Sequence, residues 1–225
     1  MREIVKQSVL QQVYDAIKDD IISQYYQPGE KLVVRMLCER YGVSDTPIKQ
    51  GLNRLVSEGL VVAVEGKGLW VRTFTREDLQ DLLRTRFMIE SYCITTLNRD
   101  QDAFRETAAR LQLLVREHRA FLDGISGPMS ASEYRVHQEL DRQFHLTIVQ
   151  GVGSSHIEQL YRGLQGHIYM SHIYQKRGSG EAEITFGEHR RIWDQLAMEN
   201  IPGAVQALRE HFASLCRDMD IPFCE

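Results

Sequence analysis

Lys31–Arg72, KLVVRMLCERYGVSDTPIKQGLNRLVSEGLVVAVEGKGLWVR, carries the strongest local signals in the chain. Val34, Leu37, Cys38 and Tyr41 recur at i, i+3, i+4 and i+7, which sets four apolar side chains on one helical face. Gly42 comes next as the stop, since glycine takes positive φ without steric cost. Ser44 is placed to cap a second helix, and Pro47 falls in its first turn, where no intrahelical donor is lost. Ile48, Leu52, Leu55, Val56 and Leu60 form the apolar stripe of that helix. Its other face carries Asp45, Thr46, Lys49, Gln50, Asn53 and Arg54, a row of donors and acceptors. Two helices joined by a short turn, the second with such a polar face, make a helix-turn-helix.

The residues beyond the second helix sharpen this. Val61–Val64 is a β-branched run, Glu65-Gly66-Lys67-Gly68 supplies turn chemistry, and Leu69–Arg72 forms a second strand. A Gly-rich hairpin tipped by lysine directly after a recognition helix is a wing that can lay its tip along the DNA backbone or minor groove. Candidate DNA contacts are therefore Arg35, Ser44, Asp45, Thr46, Lys49, Gln50, Asn53, Arg54, Gly66 and Lys67.

Val9–Arg72 resembles the winged helix-turn-helix of GntR-type bacterial regulators. The resemblance rests on Pro28-Gly29, Gly42-Val43-Ser44, Thr46-Pro47-Ile48-Lys49, Leu52, Leu55, Glu58-Gly59-Leu60 and Gly66-Lys67-Gly68. This chain departs from the family pattern at Asp45 and Lys49, where arginine is usual. The resemblance therefore implies operator DNA as a partner but not the family's usual operator sequence.

The 225 residues suit one large or two small domains, and 43% hydrophobic with 26% charged residues is ordinary for a globular core. No apolar stretch approaches a membrane span and the start has no apolar leader, so a cytoplasmic protein without a membrane partner is expected. Cys38, Cys93, Cys216 and Cys224 share no metal-type spacing and read as free thiols. Net charge is −4. Residues 1–75 hold 10 Lys and Arg against 9 Asp and Glu, or +1, so attraction to phosphate is weak and a dimer on a palindromic operator is expected.

Upstream, Leu10, Val13, Tyr14, Ile17 and Ile21 mark a first helix over about Val9–Ser23. Downstream of the wing, every segment has helical periodicity. Helices are expected near 75–97, 102–122, 130–149, 155–174, 181–199 and 202–219, the first opened by a capping box at Thr75-Arg-Glu-Asp. The expected fold is mostly α, with a winged helix-turn-helix over 1–74 and an all-α six-helix effector-binding bundle over 75–225.

Asp141 and His145 sit four apart on one helical face with Phe144 and Ile148 nearby. His189 lies among Ile192, Trp193 and Leu196, and His211 among Leu208, Phe212 and Leu215. Singly, each histidine reads as a hydrogen-bonded core residue. Together, three imidazoles and a carboxylate form a nitrogen/oxygen set for a divalent metal, with zinc first and nickel or manganese compatible. Thr75–Cys216 resembles the FCD effector domain of the FadR-like branch, in its shorter, vanillate-regulator-like form. The residues that carry this are Arg86 with Glu90, Asp141-Arg-Gln-Phe144-His145, Glu188-His189 and His211. The resemblance implies Asp141, His145, His189 and His211 as metal ligands.

Arg86 suits a small carboxylate effector by bidentate pairing, or else a salt bridge to Glu90. His167 lines an effector pocket or simply packs. His137 is a supporting partner of Asp141 or a solvated residue, and His118 and His156 are expected at the surface. The expected function is transcriptional regulation by a metal-bound organic acid. The alternatives are an all-α metal-dependent hydrolase, which would leave the wing without a purpose, and a regulator whose metal is purely structural.

Overall fold

The computed structural model describes residues 8–164 and 180–223. The chain divides into two compact units with the break between Phe74 and Thr75.

In the first unit the order is α1 (Val9–Ile22), β1 (Lys31–Leu32), α2 (Val34–Tyr41), α3 (Asp45–Ser57), β2 (Val61–Val64) and β3 (Gly68–Val71). Ser8 caps α1 through the Gln11 amide. Gly42 ends α2 at φ +65°, the left-handed conformation that the turn into α3 requires. Ser44 occupies the N-cap position of α3, but its hydroxyl makes no capping bond there, and the acidic first-turn residue Asp45 answers the helix dipole instead. The three strands run in the order β1-β3-β2, all antiparallel, with Lys31 opposite Trp70 and Val64 opposite Gly68. Strand β1 is not legible in the sequence, because two residues carry no period. Val13, Ile17 and Ile21 of α1 meet Ile48, Leu52 and Leu55 of α3 in a buried core that Leu37 and Val71 close.

The second unit contains α4 (Arg76–Leu97), α5 (Gln101–Asp123), α6 (Ala131–Gln150), α7 (Ser155–Gly163), α8 (Gly180–Ala197) and α9 (Ile201–Asp218). Capping boxes at Thr75/Asp78 and Ser130/Glu133 start α4 and α6. The helix expected to reach Tyr174 closes at Gly163, with Leu164 as its cap, and residues 165–174 lie outside the described residues. Leu83, Ile94, Leu111, Phe144, Ile148, Ile192, Leu208 and Phe212 are buried in one core shared by five of these helices. No helix of the described residues is long and apolar enough to cross a membrane.

The turn after α6 depends on a close approach. A Cβ on Gly151 would come closer than 3.0 Å to Thr107 of α5 and Leu97 of α4. Gly151→Ala is therefore expected to cost about 1–3 kcal/mol by overpacking. A melting curve unchanged from that of the unsubstituted protein would refute the tight corner.

Candidate metal centre

The interior of the second unit is not uniformly apolar. Arg86 and Glu90 of α4, His137, Asp141 and His145 of α6, Glu188 and His189 of α8, and His211 of α9 are all buried. A buried polar group must find a partner or it costs stability.

Four of these groups converge. One donor atom from each of Asp141, His145, His189 and His211 lies within 4.8 Å of all the others. His145 Nε2 is 3.2 Å from His189 Nε2. Asp141 Oδ1 is 3.5 Å from His189 Nε2 and 3.8 Å from His145 Nε2. For metal bonds of about 2.0–2.1 Å, tetrahedral donors stand roughly 3.3 Å apart, so this spacing suits a single ion.

The nitrogens facing away from the centre show how the rings are held. His145 Nδ1 is 2.6 Å from Glu90 Oε2, and His211 Nδ1 is 2.8 Å from Glu188 Oε2. A carboxylate behind Nδ1 takes the proton there, which leaves Nε2 as a lone pair aimed at the centre. His211 Nε2 is buried and, among the described residues, has no hydrogen-bond partner. His189 lies flat against Phe144, with ring centroids 4.2 Å apart and planes 4° apart. Burial holds His145 and His189 below the ordinary histidine range, so both are neutral near pH 7. The Asp141 carboxyl stays below its usual value despite burial, because of the imidazoles and Arg86 around it. Neutral imidazoles beside an ionised carboxylate are the protonation state that a metal requires. Two Nε2 lone pairs set in this way beside a carboxylate, with the His189 ring against them, form a donor set suited to a cation.

Arg86 is tied into this structure. Its Nε donates to Glu90 Oε1 at 3.2 Å and to the Tyr161 hydroxyl at 3.1 Å, and Tyr161 donates to Glu90 at 2.6 Å. Burial opposes the guanidinium charge, but Tyr161, Glu90 and Asp141 more than offset this and raise its pKa. His167 lies outside the described residues. His118, expected at the surface, is instead buried, with Nε2 2.9 Å from His137 Nδ1. Burial and the neighbouring imidazole push its pKa down to about 4. Nothing in the sequence marks this pair, because its members lie on α5 and α6 and meet only through packing. Glu90 and Glu188 are readable in the sequence as neighbours of interesting residues, but not as the groups that orient His145 and His211.

In the first unit, Asp45, Thr46, Lys49, Gln50, Asn53 and Arg54 all lie exposed along α3, and Gly66 and Lys67 are exposed at the hairpin tip. Ser44 is exposed before α3, and Arg35 is exposed on α2, paired with Glu39 at 3.0 Å. Lys49 Nζ is 2.6 Å from Asp45 Oδ2. This pair lowers the Asp45 carboxyl and raises the Lys49 ammonium.

Residues 10–71 match the family model described as bacterial regulatory proteins, gntR family, and residues 81–214 match the FCD domain. The chain belongs to the GntR family and carries an FCD domain. A HTH-type transcriptional regulator of Bacillus subtilis (strain 168), YdhC, is 25% identical over 208 residues, spanning 92% of this chain and 89% of that protein. The HTH-type transcriptional repressor GlaR of Escherichia coli (strain K12) is 30% identical over 151 residues, 65% of this chain and 64% of that one. A GntR transcriptional regulator from Rhodococcus sp. RHA1 shares the fold, with a TM-score of 0.72 at 20% identity over 95% of this chain and 99% of that one. This GntR-family chain is thus a DNA-binding transcriptional regulator with an FCD effector-binding domain, and its relatives are regulators rather than enzymes.

Proposed function

We propose that this GntR-family regulator holds one divalent ion at Asp141, His145, His189 and His211 and senses a small organic acid there. The observation that carries the reading is the convergence of three imidazoles and one carboxylate in a buried core, two of the rings held by a carboxylate behind Nδ1. Zinc fits the donor set first, and nickel or manganese share its ligand preferences. When bound, the ion would offer open coordination positions and positive charge to a carboxylate or hydroxyl oxygen. The chain's own residues do the rest. Glu90 and Glu188 fix the ring orientations, Phe144 stacks His189 in place, and Arg86 adds positive potential while restraining Glu90. The winged helix would read a palindromic operator as a cytoplasmic homodimer, since a nearly neutral DNA-binding unit needs two copies for useful affinity. By linkage, an acid that weakens operator binding must bind less tightly to the DNA-bound state.

One titration tests the effector. A panel of hydroxy- and keto-acids is followed by melting temperature in metal-loaded protein, stripped protein and Arg86→Ala. We expect at least one acid to raise the melting temperature of the metal-loaded form alone, with a weaker response in Arg86→Ala. Equal stabilisation of stripped protein would move the effector away from the metal. Silence across the panel, with metal retained, would leave the ion as a structural element.

A further inference from the structure

The recognition helix α3 carries two cations, Lys49 and Arg54, and the same unit holds both. Lys49 is paired with Asp45 one turn earlier. Arg54 Nε donates to Glu58 at 3.2 Å, its Nη1 donates to Gln11 at 2.9 Å, and its guanidinium lies 3.8 Å from the Tyr14 ring centroid. Glu58 is in turn bound by the Tyr14 hydroxyl at 2.7 Å and Lys18 Nζ at 3.0 Å. Releasing Arg54 would break a stack and two hydrogen bonds together.

The Lys49 pair alone is weaker, since water and salt screen an exposed ion pair. A guanine could draw Lys49 away. It would then meet Asp45 on the same face, and guanine offers the major groove only acceptors, O6 and N7. Acceptor would face carboxylate. An adenine or cytosine amino group has no such conflict, because it donates.

The polar face that remains is uncharged. Thr46, Gln50 and Asn53 are exposed, and no hydrogen bond within the described residues engages their side chains. Gln50 and Asn53 are three residues apart and so neighbours on one face. At 1.5 Å of rise per residue they are displaced by roughly 4.5 Å along the axis, near the roughly 3.4 Å step between bases. A carboxamide matches adenine by donating to N7 while accepting from N6.

We propose that this chain reads its operator at adenines, through Gln50 and Asn53, while Asp45 and Glu58 withhold Lys49 and Arg54 from guanine. The proposal rests on the DNA-binding reading of α3 and names the bases that it selects.

Selection of sites from random duplexes by the full-length protein tests it, comparing wild type with Gln50→Ala, Asn53→Ala, Lys49→Ala and Asp45→Asn. All four side chains are exposed, and melting curves that overlay wild type control for folding. Wild type should enrich half-sites containing adjacent adenines. Gln50→Ala and Asn53→Ala should each abolish preference at one position, a loss of roughly 5- to 150-fold in discrimination. Lys49→Ala should leave the preferred bases unchanged. Asp45→Asn should free Lys49 and steepen the salt dependence of binding by about one unit of slope. Enriched guanines whose preference vanishes in Lys49→Ala would overturn the proposal and leave the DNA-binding reading standing. Adenines indifferent to both amide substitutions would overturn it as well. Wild type that enriches no sequence would remove the DNA-binding reading itself.

Discussion

Stripping the divalent ion proposed at Asp141, His145, His189 and His211, or replacing His189 with alanine, is expected to bring the largest loss of stability in the FCD unit. An ion held at a thousand times its Kd stabilises the native state by about 4 kcal/mol, all of which disappears on chelation. His189→Ala removes a side chain as well, and the cavity alone would lower the melting temperature. Comparing loaded with stripped protein separates these effects. In wild type the two forms should melt apart, whereas in His189→Ala both should melt together. Glu90→Gln and Glu188→Gln should retain metal at saturation but bind it about 10–100-fold less tightly, because each turns a ring rather than supplying a donor. Elemental analysis and calorimetry read both quantities. If reconstituted wild type carries no metal, the four residues are a hydrogen-bonded core and the effector model goes with them.

Leu52→Ala should have a comparable effect on the other unit. Leu52 is 0% exposed on α3, the helix that packs on α1 and carries the polar face. Leucine-to-alanine changes at such sites cost about 2–5 kcal/mol, a large part of the roughly 5–15 kcal/mol that a domain possesses. We expect operator binding to collapse near the lowered melting temperature while metal content stays at the wild-type level. A denaturation midpoint equal to wild type would show that this side chain is not part of the core. Loss of metal along with DNA binding would mean that the damage is not confined to the first unit.

The order of elements in the winged helix is legible because each signal is local. Gly42 has to be left-handed, at φ +65°, and the stripe through Ile48, Leu52 and Leu55 can only be a buried face. Strand β1 leaves no such sign, because its partner Trp70 lies 39 residues along the chain and pairing, rather than composition, makes it a strand. In the bundle, the (i, i+4) spacing of Asp141 and His145 places both on one face before any contact is known. Arg86 and Glu90 at the same spacing leave two readings open, and the third member of their network, Tyr161 on α7, shows where that pair is anchored.

Residue order alone settles which side chains share a helix face, where helices stop, and that an α-helical unit comes after a winged one. These follow from backbone geometry and from periods of two and 3.6, which act over a few residues. Packing in three dimensions is needed to set Glu90 behind His145 and Glu188 behind His211, and to bring His118 against His137 in the core. Such contacts depend on how helices remote in sequence rotate and pack against one another. That rotation is set by the fit of whole apolar faces, so a single imidazole carries no local sign of which carboxylate will meet it.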